Sequence, residues 1–594
     1  MRLHGSRVAA SLGFVVVLAG CTADPAPVAD STQQSSTAAP SATPAGTKSV
    51  VVAVDDLGTG FNPHLLADQS PVGTAVANLV LPSVFRPSTD SPGWVMDPSL
   101  VKAADVSSTA PFTVTYVLRN EAQWSDGAPV AAEDFRYLWQ QMTTQPGVVD
   151  AAGYGLISDV QSSGGGKTVT VTFRSRYPAW HQLFTGLLPS HLLKDSPGGF
   201  SDALDASLGF SGSRFSVASV DRNRGEVQLQ RNDRFWDAPA LLDKILFRRD
   251  GTAGQLGESL RTDDAQVAMV GGDVATRAQV RAVPGLATSQ VAQPAVMQVA
   301  VDTQNPRLAD AGVRRGLLGL LNADVLTTIG TGLDATTDPG VLRARAQVLA
   351  PSQPGYRVTE PAALTVAQAR ALLAAGGYPF SDGQYHQGAA QLALVVGADR
   401  ADPVATAVAQ AAADQLTVAG VAATVSLLPS ADLYGSALST RAVDLVVGRA
   451  AVGGDLGTTL ASRFGCPATS GATATTTVTT TSRAEPSTSA GASTSAGASS
   501  SPVPTSTTVR AGNVSGLCDE KVEAQVQQAL TGAADATDVA TALEPVLWKQ
   551  GAVLPLYQDS LLFSVRSDVV GVNPPGPLLA GPVAGAATWS RAGP

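Results

Sequence analysis

The sequence predicts an α/β protein built from two or three structural units. In the second half of the chain, apolar strand candidates alternate with a long Ala-rich helix candidate, over residues 392–397, 403–418 and 421–425. This strand–helix–strand order favours a partly parallel sheet. The length of 594 residues exceeds that of an ordinary single domain, so we expect more than one lobe.

The first half of the chain adds strands and one clear helix. Residues 49–54 form a Val-rich run that is typical of a buried strand. Residues 112–118 and 168–173 alternate apolar and polar side chains as half-buried strands do, and the glycines at 164–166 predict a hairpin turn. Residues 133–142 have helical periodicity with acidic residues in the first turn. Further candidates are strands at 225–230, 443–447 and 553–557 and helices at 313–321, 365–375, 520–530 and 539–548.

The N-terminus predicts export and lipidation. Two arginines precede an apolar run over residues 8–18 that is too short for an ordinary membrane span. The run ends in Leu-Ala-Gly before Cys21, which fits a signal peptide over residues 1–20 and lipidation of Cys21 at the extracytoplasmic face of the cell membrane. The alternative is an ordinary signal peptide with an incidental cysteine. Residues 21–48 are rich in Ala, Ser, Thr and Pro and predict a disordered tether.

The other two cysteines, Cys466 and Cys518, predict a disulfide, because an exported chain meets an oxidising compartment. Between them, residues 468–510 are rich in Thr, Ser, Ala and Pro, and this composition predicts a disordered insertion. The alternative is a pair of free buried thiols. Two cysteines and five scattered histidines lack the spacing of a zinc site, so we expect neither a metal nor another cofactor.

Composition and motifs favour binding over catalysis. The net charge of −10 argues against nucleic acid as a partner. Residues 209–213 do not fit the Gly-x-Ser-x-Gly nucleophile elbow, and the sequence has no His-Glu-x-x-His motif. We therefore expect that the protein is not an enzyme. The acidic pair Asp55 and Asp56 is interpreted as part of a solvated face or a helix start, and His64 and His191 as structural histidines.

One motif carries a family resemblance. Residues 124–135, Trp-Ser-Asp-Gly-Ala-Pro-Val-Ala-Ala-Glu-Asp-Phe, resemble the Trp-x-Asp-Gly-x-Pro-x-x-Ala-x-Asp signature of the family 5 extracellular solute-binding proteins, the oligopeptide and dipeptide binders of ABC importers. Residues 231–236, 313–318 and 371–378 are similar to further elements of that family, in the same order. The resemblance covers residues 49–590 apart from the insertion. It implies a two-lobed periplasmic-binding-protein type II fold with an inserted third domain.

The resemblance also implies domain limits and a binding region. Lobe I would be discontinuous, and the inserted domain II would lie within it. The ligand would lie between the lobes, where hinge closure buries it. The expected limits are 49–90, 212–298 and 546–594 for lobe I, 91–211 for domain II and 299–545 for lobe III. The segment after the first strand borders the cleft in this fold. The pocket candidates are therefore Asp68, Gln69 and Ser70, with Asp302, after the strand 296–301, as another.

One departure from the peptide binders concerns the cleft. In those proteins a strand runs into Gly-Trp-x-x-Asp, whose aspartate pairs with the peptide α-amine, whereas residues 448–452 here are Gly-Arg-Ala-Ala-Val. A buried ammonium without a counter-charge is costly, so α-amine recognition is disfavoured unless Asp455 takes the place of Val452. Arg449 suits an anionic or polyhydroxylated head group. The alternative for Arg449 is an ordinary surface salt bridge.

A narrower resemblance, to mycobacterial lipoproteins of this family, rests on residues 60–66, 81–87, 137–142, 144–150 and 177–180. It implies a regulatory or supporting role in phosphatidylinositol mannoside and lipomannan or lipoarabinomannan biosynthesis. The implied ligand is a mannosylated phosphatidylinositol, such as a monoacyl phosphatidylinositol tetramannoside, and the implied partner is a membrane glycosyltransferase. The alternative is the substrate-binding component of a peptide ABC importer, whose partner is an ABC permease. A role through a surface patch, with the cleft unused, stays open.

Overall fold

The computed structural model describes residues 48–91, 93–466, 512–572 and 578–591. The expected signal peptide, Cys21, the tether apart from Lys48, and the insertion 468–510 lie outside the described residues. Within these ranges, no helix combines the length and the apolar character that a membrane span requires.

The described residues form both strands and helices. In chain order the strands are β1 (Ser49–Val54), β2 (Phe85–Pro87), β3 (Trp94–Met96), β4 (Val101–Thr109), β5 (Phe112–Leu118), β6 (Ile157–Ser163), β7 (Thr168–Phe173), β8 (Phe215–Asp221), β9 (Glu226–Arg231), β10 (Lys244–Arg249), β11 (Val267–Gly271), β12 (Leu286–Val301), β13 (Leu342–Arg343), β14 (Phe380–Ser381), β15 (Gln384–Gln387), β16 (Ala390–Gln391), β17 (Ala393–Asp399), β18 (Ala422–Leu428), β19 (Leu445–Ala451), β20 (Val553–Arg566), β21 (Val569–Val570) and β22 (Ser590–Arg591). The α-helices are α1 (Pro71–Val80), α2 (Ala132–Thr144), α3 (Ala152–Gly155), α4 (Ser190–Leu193), α5 (Gly199–Asp202), α6 (Ala253–Arg261), α7 (Val274–Arg281), α8 (Ala311–Leu318), α9 (Ala323–Thr331), α10 (Val366–Ala375), α11 (Pro403–Ala419), α12 (Ser430–Asp432), α13 (Leu438–Thr440), α14 (Leu456–Phe464), α15 (Glu520–Thr531) and α16 (Ala536–Gln550).

A mixed sheet of eleven strands organises the described residues. Its order is β18-β17-β19-β12-β20-β11-β1-β10-β9-β8, and β13 pairs with β20. β1 runs parallel to β10 and β11, and β17 runs parallel to β18 and β19, whereas the other ladders of the sheet are antiparallel. The predicted α/β class with a partly parallel sheet is therefore confirmed. We call β1 and β8–β11, with α1, α6 and α7, the lobe I side, and β17–β19, with α8–α11, the lobe III side.

The strands β12 and β20 join the two sides. They pair with each other along most of their lengths, and a register irregularity between Ala292 and Val296 interrupts the ladder. Residues 295–301 of β12 also pair with β19 on the lobe III side. Residues 561–565 of β20 pair with β11 on the lobe I side. The expected limit at 298 falls inside β12, and the limit at 546 falls inside α16, whose Leu543 and Leu547 lie in a core on the lobe III side. The domain limits stay predictions, and two of them fall inside elements, in β12, which both sides share, and in α16.

The family motif, residues 124–135, stabilises the region that contains β4–β7 and α2. There, β4, β5, β7 and β6 form an antiparallel sheet, in that order, and α2 packs on it. The buried indole of Trp124 donates a hydrogen bond to Asp134 in the first turn of α2, at 3.1 Å. The other carboxylate oxygen of Asp134 accepts bonds from the backbone and the hydroxyl of Ser190, both at 2.8 Å. The motif thus ties a turn to the beginnings of α2 and α4.

Most local predictions hold, and their limits shift by a few residues. β6 and β7 form a hairpin around the predicted glycine turn, with Ser163 opposite Thr168. The strand predicted at 553–557 is only the beginning of β20, which runs for 14 residues. His64 is buried and its Nε2 lies 2.9 Å from the carbonyl of Gly186, and His191 pairs with Asp126 at 2.7 Å. His64 therefore occupies a structural position, whereas His191 lies on the surface beside an exposed aspartate.

A disulfide bond joins Cys466 to Cys518. Cys466 follows α14 and Cys518 precedes α15, and these two helices pack against each other through Leu460 and Val526 in the lobe III core. The bridge therefore fastens the residues on both sides of the insertion to one packed helix pair.

Candidate functional site

A cavity of about 770 Å³ lies between the lobe I side and the lobe III side. The lobe I wall comes from the residues after β1, the beginning of α1, and the end of β11 with the beginning of α7. The lobe III wall comes from the end of β17, the beginning of α11, and β19, while residues 293–295 of β12 and 557–561 of β20 form the base. Ligand pockets in proteins commonly measure about 300–1,000 Å³.

Three carboxylates on the lobe I wall are oriented by backbone N–H groups. Asp55 accepts a hydrogen bond from the N–H of Gly271 at 2.5 Å, Asp56 from Gly58 at 2.7 Å, and Asp273, the N-cap of α7, from Thr276 at 2.7 Å. The second oxygen of each carboxylate has no hydrogen-bond partner among the described residues. Each carboxylate therefore presents a fixed acceptor at the cavity. Burial raises the pKa of Asp55, although the bond from Gly271 opposes this shift.

Arg449 forms the centre of a charge network on the lobe III wall. Its guanidinium pairs with Asp402, the N-cap of α11, and with Asp559 of β20. Burial alone would lower the pKa of the guanidinium, but the two carboxylates offset this effect and raise the pKa. Burial also raises the pKa of the Asp559 carboxyl, and the Arg449 charge counteracts that shift. The arginine in this network is thus already neutralised by two carboxylates.

Asp399 adds a further carboxylate at the end of β17. It accepts hydrogen bonds from the N–H of Ala401 and the hydroxyl of Ser430, both at 2.9 Å. Burial raises its pKa, and the two hydrogen bonds oppose the shift. Asp399 and Asp402 therefore place two carboxylates on this part of the lobe III wall, beside the apolar side chains of Pro403 and Val404.

Tyr557 of β20 lines the base of the cavity, and its side chain is only 3% exposed. Its hydroxyl has no hydrogen-bond partner in the described part of the chain. Burial, reinforced by the charge of Asp559, raises the pKa of this hydroxyl well above its ordinary value, so it stays protonated. Gly330 of α9, which also lines the cavity, lies beside it: a β-carbon at position 330 would come within 2.4 Å of the hydroxyl oxygen.

One ion pair bridges the two sides at the cavity. Arg277 of α7 donates to Asp338, in the loop between α9 and β13, at 3.0 and 3.3 Å. Gly332 of the same loop lies against Asp273 of the lobe I wall. Among the lining arginines, only Arg249 forms no ion pair within the described residues. The wall near α7 is therefore closed by contacts from both sides.

The charge balance of the cavity is acidic. Among the described residues, six aspartates line it against three arginines, and two of the arginines are paired with carboxylates. Oriented carboxylates accept hydrogen bonds from hydroxyl groups or pair with cations. A free phosphate would meet net repulsion here. Among the described residues, no cluster of three or more His, Cys, Asp or Glu side chains is arranged to hold a metal ion.

The structure places only some of the predicted site residues at the cavity. Gln69 and Ser70 line it, but the Gln69 amide donates to the carbonyls of Pro63 and Leu65, and the Ser70 hydroxyl caps α1. Asp68 is not part of the lining: it is 5% exposed and accepts from the backbone of Asn62 at 2.9 Å.

Two other predicted residues also lie outside the lining. Asp302 is 2% exposed and its carboxylate accepts from the backbone of Gln304 within lobe III. Asp455 caps α14 by accepting from the backbone of Thr458 at 2.9 Å. Val452 is buried and its N–H donates to Pro294. Neither Val452 nor Asp455 therefore brings a carboxylate to the cavity.

Sequence reasoning missed the carboxylates that dominate the cavity. Asp55 follows β1 directly, and Asp273 follows β11 by two residues, so both lie at the carboxyl ends of neighbouring parallel strands. Ligands in open α/β sheets bind at such ends, and this rule could have singled out both residues. Asp559 and Tyr557 lie inside β20, and no local signal in the sequence distinguishes them.

The comparisons with known proteins agree with this architecture. Residues 96–470 match the family described as bacterial extracellular solute-binding proteins, family 5. The chain belongs to this family of binding proteins. It is 41% identical, over 99% of each chain, to a protein of Mycobacterium tuberculosis that is named probable monoacyl phosphatidylinositol tetramannoside-binding protein LpqW. It is also 26% identical to the oligopeptide-binding protein OppA of that species, over 33% of this chain and 34% of the relative.

Solved structures of the family share the fold at low sequence identity. The oligopeptide-binding protein AppA from Bacillus subtilis, in complex with a nonapeptide, matches with a TM-score of 0.68 and 12% identity, over 92% of this chain and all of that one. The periplasmic EDTA-binding protein EppA matches with a TM-score of 0.67 and 19% identity, over 92% and 97% of the two chains. The two-lobed fold of the family is therefore the fold of this chain, and its place is extracytoplasmic.

Proposed function

We propose that this protein is a lipid-anchored binding protein, and not an enzyme, that holds the sugar head group of a mannosylated phosphatidylinositol in the cavity. The observation that carries the proposal is the 41% identity with LpqW over 99% of both chains. That relative is named for binding a monoacyl phosphatidylinositol tetramannoside. The acidic cavity agrees with such a ligand, because mannose rings present many hydroxyl donors and no charge.

The position of the ligand follows from the chemistry of the walls. Sugar hydroxyls can donate to the free oxygens of Asp55, Asp56 and Asp273, which the backbone already holds in place. The phosphodiester would be repelled by the surplus of carboxylates and lies outside the cavity in this proposal. Arg449, which the sequence suggested as a head-group contact, instead orients Asp402 and Asp559.

The cellular role in this proposal is to support or regulate phosphatidylinositol mannoside and lipoarabinomannan biosynthesis. Lipidation of Cys21 would keep the protein at the extracytoplasmic face of the membrane, where the tether lets it reach a lipid-embedded head group. The partner in this role is a membrane glycosyltransferase that uses the bound lipid. No catalytic step is assigned to the binding protein itself.

The second candidate is the peptide-binding component of an ABC importer, which would meet an ABC permease. The similarity of the fold to AppA with its bound nonapeptide favours it, and the cavity carboxylates could pair with a peptide amine. The substitution of Val452 at the position where peptide binders carry an aspartate argues against it, because Val452 is buried and offers no charge.

Native mass spectrometry of the full chain released from detergent tests the proposal. The protein is incubated with a purified monoacyl phosphatidylinositol tetramannoside and with a peptide pool. We expect retention of the glycolipid, weakened by the paired substitution Asp55→Asn with Asp273→Asn and unchanged by Asp159→Asn, which alters an exposed aspartate of β6. Retention of peptides alone would favour the importer, and retention of neither would refute a ligand role for the cavity.

A further inference from the structure

The hydroxyl of Tyr557 is a buried polar group that the protein itself does not satisfy. Its oxygen has no hydrogen-bond partner in the described ranges, although its ring lines the cavity. Buried polar groups are nearly always hydrogen-bonded, and an unsatisfied one costs free energy. A group that is left unsatisfied at the edge of a ligand cavity is a candidate for a bond to the ligand.

The surroundings of the hydroxyl define what it can bind. Tyr557 lies two residues before Asp559 in β20, and it faces Arg449 across β12, since both residues pair with Met297. Arg449 holds Asp402 and Asp559 through its guanidinium. The hydroxyl donor is thus accompanied by two carboxylate acceptors whose positions one arginine fixes.

Gly330 controls the access to the hydroxyl. The place that a side chain at position 330 would occupy lies 2.4 Å from the hydroxyl oxygen, so only the main chain of α9 covers the oxygen there. Gly332, with a φ of 66°, ends the helix one residue after Thr331. Because the oxygen is buried, a ligand can reach the hydroxyl only if this glycine-flanked end of α9 moves.

We propose that Tyr557, with Asp402 and Asp559 as Arg449 orients them, forms a subsite for one neutral hexopyranose ring of the ligand. This inference rests on the proposed function and assigns the ring to the lobe III side of the base. Vicinal hydroxyls of the ring donate to the carboxylates, and a ring oxygen or hydroxyl accepts from Tyr557. One arginine between two aspartates leaves a net negative charge, which repels a phosphate group, and the arginine already occupies the position that a ligand cation would need.

The test compares two substitutions that remove the same kind of hydroxyl. Tyr557→Phe deletes the hydroxyl at the cavity. Tyr116→Phe deletes another buried hydroxyl that lacks a partner in the described residues, but Tyr116 lies in β5 of the four-stranded antiparallel sheet, away from the cavity. Affinity of the full chain for monoacyl phosphatidylinositol tetramannoside in detergent micelles is measured by titration calorimetry, with phosphatidylinositol that carries no mannose as the second probe.

We expect Tyr557→Phe to weaken binding of the tetramannoside about tenfold, without lowering the midpoint of thermal unfolding, and Tyr116→Phe to leave binding unchanged. A purely structural role for Tyr557 would not separate affinity from stability in this way. Equal affinities of the wild-type protein and Tyr557→Phe, or equal losses in both variants, would overturn the inference and leave the proposed function intact. Absence of tetramannoside binding by the wild-type protein, or binding of both probes alike, would overturn the proposed function together with the inference.

Discussion

Gly330 and Tyr557 are packed so closely that a single methyl group does not fit between them: a β-carbon on residue 330 would lie 2.4 to 2.8 Å from three atoms of the tyrosine. Alanine ordinarily stabilises a helix interior over glycine, by up to about 1 kcal/mol. We expect Gly330→Ala to lower the free energy of unfolding instead, by about 1–3 kcal/mol, because overpacking displaces the ring or α9.

Chemical denaturation of Gly330→Ala measures this effect. Gly254→Ala is the matched control, because Gly254 lies in helix α6, where an added β-carbon has no heavy atom closer than 3.9 Å. We expect the control to be neutral or slightly stabilising. Equal unfolding free energies in the two variants would show that Tyr557 is not held in the position described.

Asp68 should make the protein more stable at acidic than at neutral pH. Burial raises the pKa of its carboxyl to about 7, from an ordinary value of 3.8. Since the folded state binds the proton more tightly than the unfolded state, this group destabilises the fold progressively as the pH rises from about 4 to about 7. Asp68→Asn keeps an acceptor for the Asn62 N–H, so we expect a gain of about 2 kcal/mol at pH 8 and little change at pH 4.

Urea unfolding at pH 4 and pH 8 measures the difference for Asp68→Asn. Asp97→Asn is the control, because the pKa of Asp97 is shifted in the opposite direction. Burial alone would raise the pKa of Asp97, but the Arg86 charge and the hydrogen bonds from Arg86 and Ser99 outweigh burial and lower it. The control variant should therefore lose more stability at neutral than at acidic pH. A loss for Asp68→Asn at pH 8 would contradict the described environment of Asp68.

Arg449→Met should destabilise the protein in a pH-dependent way. The substitution leaves Asp402 and Asp559 facing each other without the cation that now separates them. The pKa of Asp559, which burial already raises, should rise further. We expect a loss of about 2 kcal/mol at pH 7.5, less than that of a fully buried pair because a quarter of the side chain is exposed, and a smaller loss at pH 5.

Urea unfolding at the two pH values tests this expectation, with Arg231→Met as the control. Arg231 also pairs with two aspartates, Asp233 and Asp243, but these are more exposed than Asp402 and Asp559. Exposed ion pairs contribute roughly 0–1 kcal/mol, so the control should be nearly neutral at both values. Equal losses in the two variants would indicate that Arg449 is as solvated as Arg231.

The disulfide should stabilise the lobe III side. It closes a loop with a sequence separation of 52 residues, for which the chain-entropy model predicts a contribution of about 4 kcal/mol and measured bridges commonly give about 2–4 kcal/mol. We expect the double variant Cys466→Ser with Cys518→Ser to unfold at a lower temperature in calorimetry. Reductant should produce the same shift in the wild-type protein and none in the double variant, and insensitivity of the wild-type protein would mean that the thiols are unpaired.

The sequence predicted those parts of the fold whose signal is local. The Val-rich run of β1, the helix α11 between Asp402 and Gly420, and the glycine hairpin between β6 and β7 each carry their pattern within a few residues. β12 was only partly recognised, because its first ten residues are polar in part and contain Pro294. Its strand conformation depends on pairing with β20, more than 250 residues away.

The site was harder to predict than the fold, because the direction of a side chain depends on its tertiary neighbours. Asp68 and Ser70 are two residues apart, yet Ser70 lines the cavity while Asp68 turns into the protein towards Asn62. Arg449 lines the cavity, but its partners Asp402 and Asp559 are 47 and 110 residues away. No spacing rule connects residues at such separations, so its neutralised state could not be inferred from the sequence.

The central position of β20 has a consequence for the order in which the protein folds. β20 lies between β11 and β12 and thereby completes the hydrogen bonding on both sides of the sheet, yet it is the last long strand among the described residues. Synthesis delivers the N-terminus first, so more than 550 residues precede the strand that both sides need. Until β20 arrives, β11 and β12 each keep an unpaired edge, and such edges invite aggregation. A nascent chain of this protein should therefore depend on chaperones until β20 has been synthesised, and a stop codon just before Val553 should be as damaging as one near the middle.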